Sequence, residues 1–367
     1  MSYPYHFYAI VIPGLEVTAA KELEELSAHE VRTDSGGVYF SGTMETMFRV
    51  NLRSRCITRV LLRLKRFTAM TLDGLRDKVE KIAWGDFLSR ESAISVHVSC
   101  HSSRLMHTSK IENEIHEVIR KAGFSLNPGE TGQQVFIRIE NNRCLLSIDT
   151  SGERLDRRGY RLESGKAPVR ETLAAGVLQW MEWSRDETLL VPMCGSGTFA
   201  IEAAMMGIKQ APGMSHDFPF LTWPQLKRKG WERIFKRTQA MIRDDASSLS
   251  IYASDINPAA IEIAARNADR AGVKKMIHME KKDLKELSSP GDAHAGLIVC
   301  NPPYGQRIDT NVHALYATLG KIYKKDFSHW RMVVFSPDHQ CEKHLGLSVK
   351  RRLKIKHGGK WVNILHV

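Results

Sequence analysis

Residues 297–300, Leu-Ile-Val-Cys, form a wholly apolar run that stops at Asn301-Pro302-Pro303. Two consecutive prolines fix two φ angles and remove two amide donors, so a regular strand does not continue through them. A short strand with no polar residue on either face is typical of the interior of a parallel sheet covered by helices on both sides. The run therefore predicts an α/β fold around it, with the side chain of Asn301 held rigidly at the end of a buried strand.

The strand–helix alternation that suits such a sheet begins after Pro168, whereas residues 1–155 alternate shorter strands and helices of an α+β kind. A basic, glycine-containing stretch at 156–167 is predicted to link the two parts. In the second part we predict strands at 188–192, 250–255 and 276–279 and helices at 199–206 and 259–271. In the first part we predict strands at 5–12, 37–41, 58–67 and 94–99, helices at 15–27, 43–52, 71–82 and 109–122, and a hairpin of 135–140 with 143–149 about Asn141-Asn142.

Composition limits the classes of partner. The chain of 367 residues has a formal net charge of +12, which favours a polyanionic partner but does not separate RNA, DNA and an anionic membrane surface. No run approaches the length of a membrane span, and the first residues do not resemble a signal peptide. The six cysteines are scattered and the His residues lack metal-ligand spacing. We therefore expect a cytoplasmic protein without a metal site or a membrane partner.

A glycine-rich turn joins the strand at 188–192 to the following helix. Glycines let a ligand approach the backbone closely, and free N–H groups at a helix start attract a carboxylate. The turn lacks the Lys-Ser/Thr of a phosphate-binding P-loop and the third glycine of a dinucleotide fingerprint. Candidate ligand-binding residues here are Pro192, Cys194, Gly195, Ser196, Gly197 and Thr198.

Acidic residues follow the next two predicted strands. Asp255, followed by Ile256, is placed to accept both hydroxyls of a ribose, and Asp283 to accept from an adenine amino group. Ligands bind at the carboxyl edge of an open parallel sheet. The glycine-rich turn, the two acids and Asn301 each follow successive strands, and this order is a more specific signal of a ligand site than any one of them alone. Alternatively, Asp255 caps its helix, Asp283 is a surface acid, and Cys194 and Cys300 are buried apolar residues. Neither cysteine has a neighbouring base, which disfavours covalent catalysis.

Asn301 and the prolines suit an exocyclic amine whose lone pair is delocalised into a base ring. The Asn301 side-chain oxygen and the carbonyl of Pro302 can accept its N–H protons and return electron density to nitrogen, while Pro303 stiffens the turn. Tyr304 offers a face on which a flipped-out base can stack. The four residues Asn301-Pro-Pro-Tyr304 resemble motif IV of the amino-methyltransferases that use S-adenosylmethionine. The alternative is a Pro-Pro turn that merely closes a buried strand.

Over nearly its whole length the chain resembles the THUMP-domain RNA methyltransferases that make N2-methylguanosine. The resemblance is carried by Arg157-Arg-Gly-Tyr-Arg161, Ala167-Pro-Val-Arg-Glu-Thr-Leu-Ala-Ala175, Met193-Cys-Gly-Ser-Gly-Thr198, Ala211-Pro-Gly213 and Asn301-Pro-Pro-Tyr-Gly305. It implies a ferredoxin-like domain at 1–66, a THUMP domain at 67–155 and a Rossmann-like class I methyltransferase domain at 168–367.

The resemblance also implies roles for residues of this chain. Gly195 and Gly197 would border the methionine moiety of S-adenosylmethionine, Asp255 its ribose and Asp283 its adenine. Asn301 and Pro302 would hold the guanine amine and Tyr304 would stack on the base, and Asn301 is also a candidate cofactor-binding residue. The family usually has Asp directly before the proline of the turn, and this chain has Val191. If that acid normally braces the loop, cofactor affinity is expected to be lower here.

Within the family, length and motif order are similar to the N-terminal half of the bacterial large-subunit rRNA guanine-N2 methyltransferase. Our hypothesis is methyl transfer to guanosine N2 in 23S rRNA, by a monomer or weak homodimer. The alternatives are a position-6 tRNA guanine-N2 methyltransferase, an adenine-N6 methyltransferase of DNA or RNA, and a non-catalytic RNA-binding assembly factor.

Three basic zones could contact a structured RNA, at 53–66, 154–166 and 227–237. A solvated helix or strand face is the alternative for each zone. Trp223 and Trp231, which interleave with the last zone, are more often core anchors than stacking platforms. The candidate RNA-binding residues are Arg154, Arg157, Arg158, Arg161, Lys227, Arg228 and Lys229.

Overall fold

Each of the two units into which the chain folds is built on a seven-stranded sheet. One unit comprises residues 1–11, 20–155 and 213–238, and the other comprises residues 12–19, 156–212 and 239–367. None of the helices in the described parts is long and apolar enough to cross a membrane. The computed structural model describes residues 4–90, 93–125, 132–163, 168–243, 249–291, 293–303 and 312–367.

Strands and helices alternate along the chain. The first half contains β1 (Tyr5–Val11), α1 (Glu16–Glu25), β2 (His29–Asp34), β3 (Gly37–Gly42), α2 (Met44–Arg53), β4 (Ile57–Thr68), α3 (Leu72–Val79), α4 (Trp84–Phe87), β5 (Ile94–His101), α5 (Thr108–Lys121), β6 (Gln133–Glu140) and β7 (Arg143–Asp149). The second half contains α6 (Glu171–Trp180), β8 (Leu189–Pro192), α7 (Thr198–Gly207), α8 (Arg228–Gln239), β9 (Ile251–Asp255), α9 (Pro258–Arg270), β10 (His278–Lys281), β11 (Leu297–Cys300), α10 (Val312–Asp326), β12 (Arg331–Ser336), α11 (His339–Leu345), β13 (Arg351–His357) and β14 (Lys360–His366).

The first sheet has the strand order β2-β3-β1-β4-β7-β6-β5. Its hairpin of β6 and β7 turns at Asn141 and Asn142, whose φ angles of 50° and 61° suit the type I′ turn that joins two strands tightly. The predicted hairpin is therefore confirmed. Strand β4 pairs with β1 along its first half and with β7 along its second half, so the boundary that we propose at 66/67 falls inside a shared strand.

Residues 213–238 belong to the first unit although they lie beyond the proposed linker in sequence. Their aromatic side chains pack on those of α2: the ring of Phe48 lies 5.2 Å from that of Phe220 and 5.7 Å from that of Trp231. Trp223 is 3% exposed and donates its indole N–H to Gln133 Oε1 at 2.7 Å. The expectation of a core anchor is confirmed for Trp223, whereas Trp231 is half-buried and packs on the rings of Phe48 and Phe220.

The second sheet has the order β10-β9-β8-β11-β12-β14-β13, in which the first five strands are parallel and β14 runs antiparallel to β12 and β13. The order reverses between β8 and β11, which is the place where open sheets of this kind bind ligands. After β8 the chain leads through α7 to β9, which pairs with β8 on one side of this point. After β11 the chain leads to β12, which pairs with β11 on the other side. This arrangement confirms the predicted parallel α/β sheet.

The predicted elements are incomplete, since strands β12, β13 and β14 and helices α4, α6, α8, α10 and α11 were not among them. Two further local differences concern β2 and β10. Strand β2 was not predicted, because its sequence, His-Glu-Val-Arg-Thr-Asp, carries charge at an exposed sheet edge and lacks an apolar face. The strand predicted at 276–279 begins later, at His278, since residues 274–276 form a 3-10 turn. The error is one of boundary and leaves the strand order unchanged.

Candidate functional site

Three strand ends meet in register at the carboxyl edge of the second sheet. Leu190 pairs with Ile298 of β11, and Pro192 pairs with Ser254 of β9. Continuing this register places Met193, Asp255 and Asn301 side by side, about 4.8 Å apart from one strand to the next. The sheet therefore brings the glycine-rich turn, the first acid and the Asn-Pro-Pro turn together, as the sequence predicts.

The glycine-rich turn needs unusual backbone angles. Met193, Gly195 and Gly197 have φ angles of 54°, 55° and 80°, a region that costs a side chain such as that of methionine about 1–3 kcal/mol. A Cβ on Gly197 would lie 2.9 Å from the Cβ of Ala264 in α9, whereas a Cβ on Gly195 would meet nothing within 4 Å. Gly197 is thus required by packing, and Gly195 leaves open space in front of the backbone.

Asp255 holds this turn from the neighbouring strand. Its Oδ2 accepts the backbone N–H of Gly195 at 3.0 Å, and its Oδ1 accepts that of Asn257 at 3.0 Å. A carboxylate oxygen has two lone pairs, so each oxygen can accept one further donor. Asn257 caps helix α9 by accepting from Ala259 at 3.0 Å, so the alternative that Asp255 is the helix cap is wrong.

Asn267 braces the turn from behind and was not predicted. Its buried Nδ2 donates to the carbonyls of Ser196 at 3.2 Å and Glu163 at 3.1 Å. The sequence does contain one indication of this role. Asn267 lies on the apolar face of α9 with Ala264 and Ala268, and a buried amide there needs a hydrogen-bond partner. Val191 is buried in β8, and the turn that follows it is held by hydrogen bonds to Asp255 and Asn267.

The remaining predicted cofactor residues lie around the same edge. Ile256 is 60% exposed, which leaves an apolar surface beside Asp255. Asp283 accepts the backbone N–H of Lys285 at 2.9 Å and so begins a 3-10 turn, and within the described residues its other oxygen has no hydrogen-bond donor. A cavity of about 320 Å³ beside this edge is lined by Pro192, Ser254 and Lys282 among others; of the predicted cofactor residues, Pro192 is the one in its lining. Its volume is that of a small-ligand site.

The side-chain oxygen of Asn301 is buried and has no hydrogen-bond partner within the described part of the chain. Leaving a buried carbonyl oxygen unpaired costs about 1–3 kcal/mol, a cost that an incoming donor would remove. Pro302 is buried and Pro303 is half-buried beside it. Tyr304 lies outside the described residues, so the predicted stacking role has no structural counterpart to describe.

Neither cysteine near the site is prepared for nucleophilic chemistry. Burial, assisted by the negative charge of Asp255, raises the pKa of Cys194 to about 12. Burial raises the pKa of Cys300 still further above its ordinary value. Both thiols therefore stay protonated near neutral pH, which agrees with a mechanism that forms no covalent bond to the protein.

The predicted RNA-binding residues divide into two groups. Lys227, Arg228, Lys229 and Arg157 are exposed. Arg158 is buried 3.5 Å from the buried carboxylate of Glu202, and Arg161 pairs with Glu171 at 2.8 Å. Arg158 is buried, and the half-buried Arg161 is engaged by the Glu171 carboxylate and the Val169 carbonyl. Neither guanidinium is available to phosphates, so we correct the assignment of these two residues to a structural role. Arg154 is half-buried.

In the described residues, ligand-type atoms of His313, Asp338 and Cys341 lie within 4.8 Å of one another. Asp338 already caps helix α11 by accepting from the Cys341 backbone at 2.8 Å, and burial raises the pKa of that thiol to about 12. The cap accounts for this grouping without an ion. The expectation of no metal site stays a prediction.

Comparison with known proteins identifies similar sequences along the whole chain. Residues 6–61 match the RlmL ferredoxin-like domain, residues 69–149 the THUMP domain and residues 158–362 the RMKL-like methyltransferase domain. A Synechocystis sp. protein named as a candidate RNA methyltransferase is 32% identical over 363 residues, which cover 96% of this chain and 94% of that protein. The ribosomal RNA large subunit methyltransferase K/L of Syntrophotalea carbinolica is 31% identical over 100% of this chain and 54% of its own length, so this chain spans about half of it.

Solved structures agree with these sequence matches. The crystal structure of SMU.472, described as a candidate methyltransferase complexed with SAH, has a TM-score of 0.90 and 26% identity and covers 100% of this chain and 98% of that one. A structure from Listeria monocytogenes, described as a predicted N6-adenine-specific DNA methylase, has a TM-score of 0.87 and 28% identity over 99% and 95% of the two chains. The predicted fold class is confirmed.

Proposed function

We propose that this chain methylates the exocyclic N2 of a guanosine in large-subunit ribosomal RNA. The premise is that it belongs to the RMKL-like methyltransferase family, here preceded by an RlmL ferredoxin-like domain and a THUMP domain. The methyl donor is S-adenosylmethionine, whose demethylated product, SAH, is bound in the similar structure of SMU.472. The choice of ribosomal RNA rests on the names of the K/L relatives, of which this chain spans about half.

One observation supports the exocyclic amine as the acceptor. The buried Oδ1 of Asn301, unpaired among the described residues, needs a donor, and an amino group on a flipped base supplies one. The Asn301 oxygen and the Pro302 carbonyl would accept the two amine protons, which raises the electron density on nitrogen. Pro302 and Pro303 keep these acceptors from turning away, so catalysis would come from positioning and electrostatics.

The residues of the carboxyl edge fit the methyl donor. S-adenosylmethionine supplies an electrophilic methyl group on a sulfonium when it is bound. Gly195 and Gly197 would admit its amino-acid end to the backbone, Asp255 would accept from the ribose, and the exposed side chain of Ile256 would cover an apolar face of the adenine. Asp283 would accept from the adenine amino group through its second carboxylate oxygen. Pro192, Cys194, Ser196 and Thr198 complete the proposed lining.

A rival assignment is methylation of adenine N6. An Asn-Pro-Pro turn can hold any exocyclic amine, and the similar Listeria structure is described as an adenine-specific DNA methylase. The THUMP match at residues 69–149 favours RNA over DNA. Guanosine remains our proposal because the family that the chain resembles makes N2-methylguanosine.

The test is nucleoside analysis after transfer of a labelled methyl group. The chain would be incubated with unmodified large-subunit ribosomal RNA, bulk tRNA or duplex DNA in separate reactions, and each product digested to nucleosides. We expect label in N2-methylguanosine from ribosomal RNA. Label in N6-methyladenosine would establish the rival, and label in tRNA alone would replace the substrate. Binding of the RNA without binding of S-adenosylmethionine in calorimetry would indicate a non-catalytic assembly factor.

A further inference from the structure

The C-terminal hairpin of β13 and β14 is strongly basic and has no role in the site described above. From Gly346 to Val367 the sequence has six Lys or Arg residues and no Asp or Glu. Arg352 pairs with Glu342, and Arg351 lies over the ring of Trp180 at 4.8 Å. The remaining four cations of this segment, Lys350, Lys354, Lys356 and Lys360, are exposed.

Strand register places the tip of this hairpin at the edge that carries Asn301. Strand β12 runs parallel to β11, and its last residue, Ser336, pairs with Asn363 of β14. The hairpin continues for three more residues on each strand, about 10 Å at 3.3 Å per residue. It therefore projects beyond the carboxyl edge, with β14 two strand spacings (about 10 Å) and β13 three strand spacings (about 14 Å) to the side of β11.

One face of the projecting part combines cations with an exposed aromatic ring. Lys356 pairs directly with Trp361, and Lys354 lies two residues before it on the same face. The ammonium of Lys354 is 5.3 Å from the ring of Trp361, which is 51% exposed. We call these three residues the hairpin face. Lysines beside an exposed tryptophan suit a nucleic-acid strand, because phosphates meet the cations and a base stacks on the ring.

Protection of a sheet edge is the ordinary explanation for lysines on an outer strand. Here the backbone edge of β13 is already covered, since Lys356 donates its N–H to the carbonyl of Pro13 at 3.2 Å. A Cβ on Gly14 would lie 2.1 Å from the carbonyl oxygen of Lys354, which shows how closely the two backbones approach. An exposed tryptophan does not protect an edge, so edge protection leaves Trp361 unexplained.

We propose that the hairpin face binds the RNA strand that flanks the target nucleotide, with Lys354 and Lys356 on its phosphates and Trp361 stacked on a neighbouring base. This inference rests on the proposed function for the identity of the polyanion. It adds a contact surface outside the THUMP domain and next to the reacting base. A base held there would keep the flipped nucleotide in register with Asn301.

The experiment measures affinity for unmodified large-subunit ribosomal RNA by filter binding, separately from methyl transfer. The double variant Lys354→Gln/Lys356→Gln should bind more weakly and reduce the slope of log affinity against log salt by about 1.5, the value for two lost phosphate contacts. The matched control is Lys321→Gln/Lys324→Gln, which removes the same charge from exposed positions on α10. It should leave the slope within about 0.3 of that of the unmodified chain.

Trp361→Ala should weaken RNA binding about tenfold with an unchanged salt slope, and Trp361→Phe should restore most of the affinity, because stacking needs a ring and no charge. Equal binding by the two double variants, or unchanged binding by Trp361→Ala, would overturn the proposal. Equal losses on duplex DNA would also overturn it, since they would indicate a general polyanion surface. Failure of methyl transfer in the unmodified chain would count against the proposed function alone, because affinity is measured without S-adenosylmethionine.

Discussion

Asp255 connects the glycine-rich turn to the strand beside it through both of its oxygens. Asp255→Ala would remove the acceptor for the Gly195 N–H and the proposed acceptor for the ribose together. A hydrogen bond to a charged group contributes about 1.5–3 kcal/mol, so we expect affinity for S-adenosylmethionine to fall about 10- to 100-fold. Titration calorimetry measures this directly, and unchanged affinity would contradict the assignment. Asp255→Asn keeps the shape and one acceptor and should lose less.

For Asn301 we predict the opposite pattern, because its side-chain oxygen, which has no partner among the described residues, is proposed to face the acceptor base. Asn301→Ala should leave affinity for S-adenosylmethionine within about twofold and lower the single-turnover rate about 100- to 1000-fold, as loss of one preorganised polar group does elsewhere. Asn301→Asp serves as the matched variant that keeps an acceptor but adds a charge. Wild-type turnover in Asn301→Ala would disprove the role of this residue.

At the residue scale, the sequence predicted where the site residues lie in the sheet better than it predicted their hydrogen-bond and ion-pair partners. Asp255 ends a predicted strand and Asn301 follows an apolar one, and a sheet must bring the ends of adjacent parallel strands to one edge. The contacts of Asn267 could not be derived in this way, since they depend on how α9 packs against the turn. The burial of Arg158 was also hidden, because the local sequence is basic while its partner, Glu202, lies far along the chain.

Among the elements, residues 213–238 are anchored in the first unit by aromatic side chains, and Trp223 tests that anchoring. Trp223→Ala would leave a cavity and deprive Gln133 Oε1 of its donor, so we expect it to lower the free energy of unfolding by about 3–5 kcal/mol. Trp361→Ala, at an exposed ring, should change it by less than about 1 kcal/mol. Chemical denaturation followed by circular dichroism measures both, and equal effects would show that Trp223 is not an anchor.

The elements that the sequence predicted correctly have one clear periodicity each. Strands β8 and β11 are short apolar runs, and α5 repeats buried residues at Ile111, Ile115 and Val118. The sequence around α8 has no pattern that indicates which part of the molecule it packs against. Its aromatic residues pack on α2, a helix nearly two hundred residues earlier, and a local pattern does not specify a partner at that distance.

At the scale of the whole molecule, the sequence predicted boundaries at 66/67 and at the linker 156–167, whereas the chain passes between its two packed units several times. The model matches follow the sequence division, with the methyltransferase match running from 158 to 362 across the segment that packs in the first unit. The matched domains and the packed units differ because each domain match is one continuous stretch of sequence, whereas each packed unit combines several separate stretches. We propose that the boundaries at 66/67 and 156–167 separate continuous sequence domains.

Stability of the whole molecule should depend on pH through a buried carboxyl group beside α6. Burial raises the pKa of Glu171 to about 7 despite its pairing with Arg161, while Glu202, Arg158 and Tyr160 lie in the same cluster. The native state therefore keeps a proton between about pH 4.5 and 7 that the unfolded chain has released. The stabilisation is complete below about pH 4.5 and is lost as the pH rises through about 7.

We predict that the free energy of unfolding of the wild-type chain falls across this interval relative to that of Glu171→Gln, by at most about 3 kcal/mol. Urea unfolding at pH 5 and pH 7.5 measures the difference, and parallel curves for the two proteins would contradict it. Glu163→Gln is the control of opposite sign, because hydrogen bonds from Arg266 and Arg270 lower the pKa of Glu163 to about 2. Its effect should be constant above about pH 5 and should fade only as the pH drops toward 2, since a carboxylate with a lowered pKa stabilises the fold when ionised.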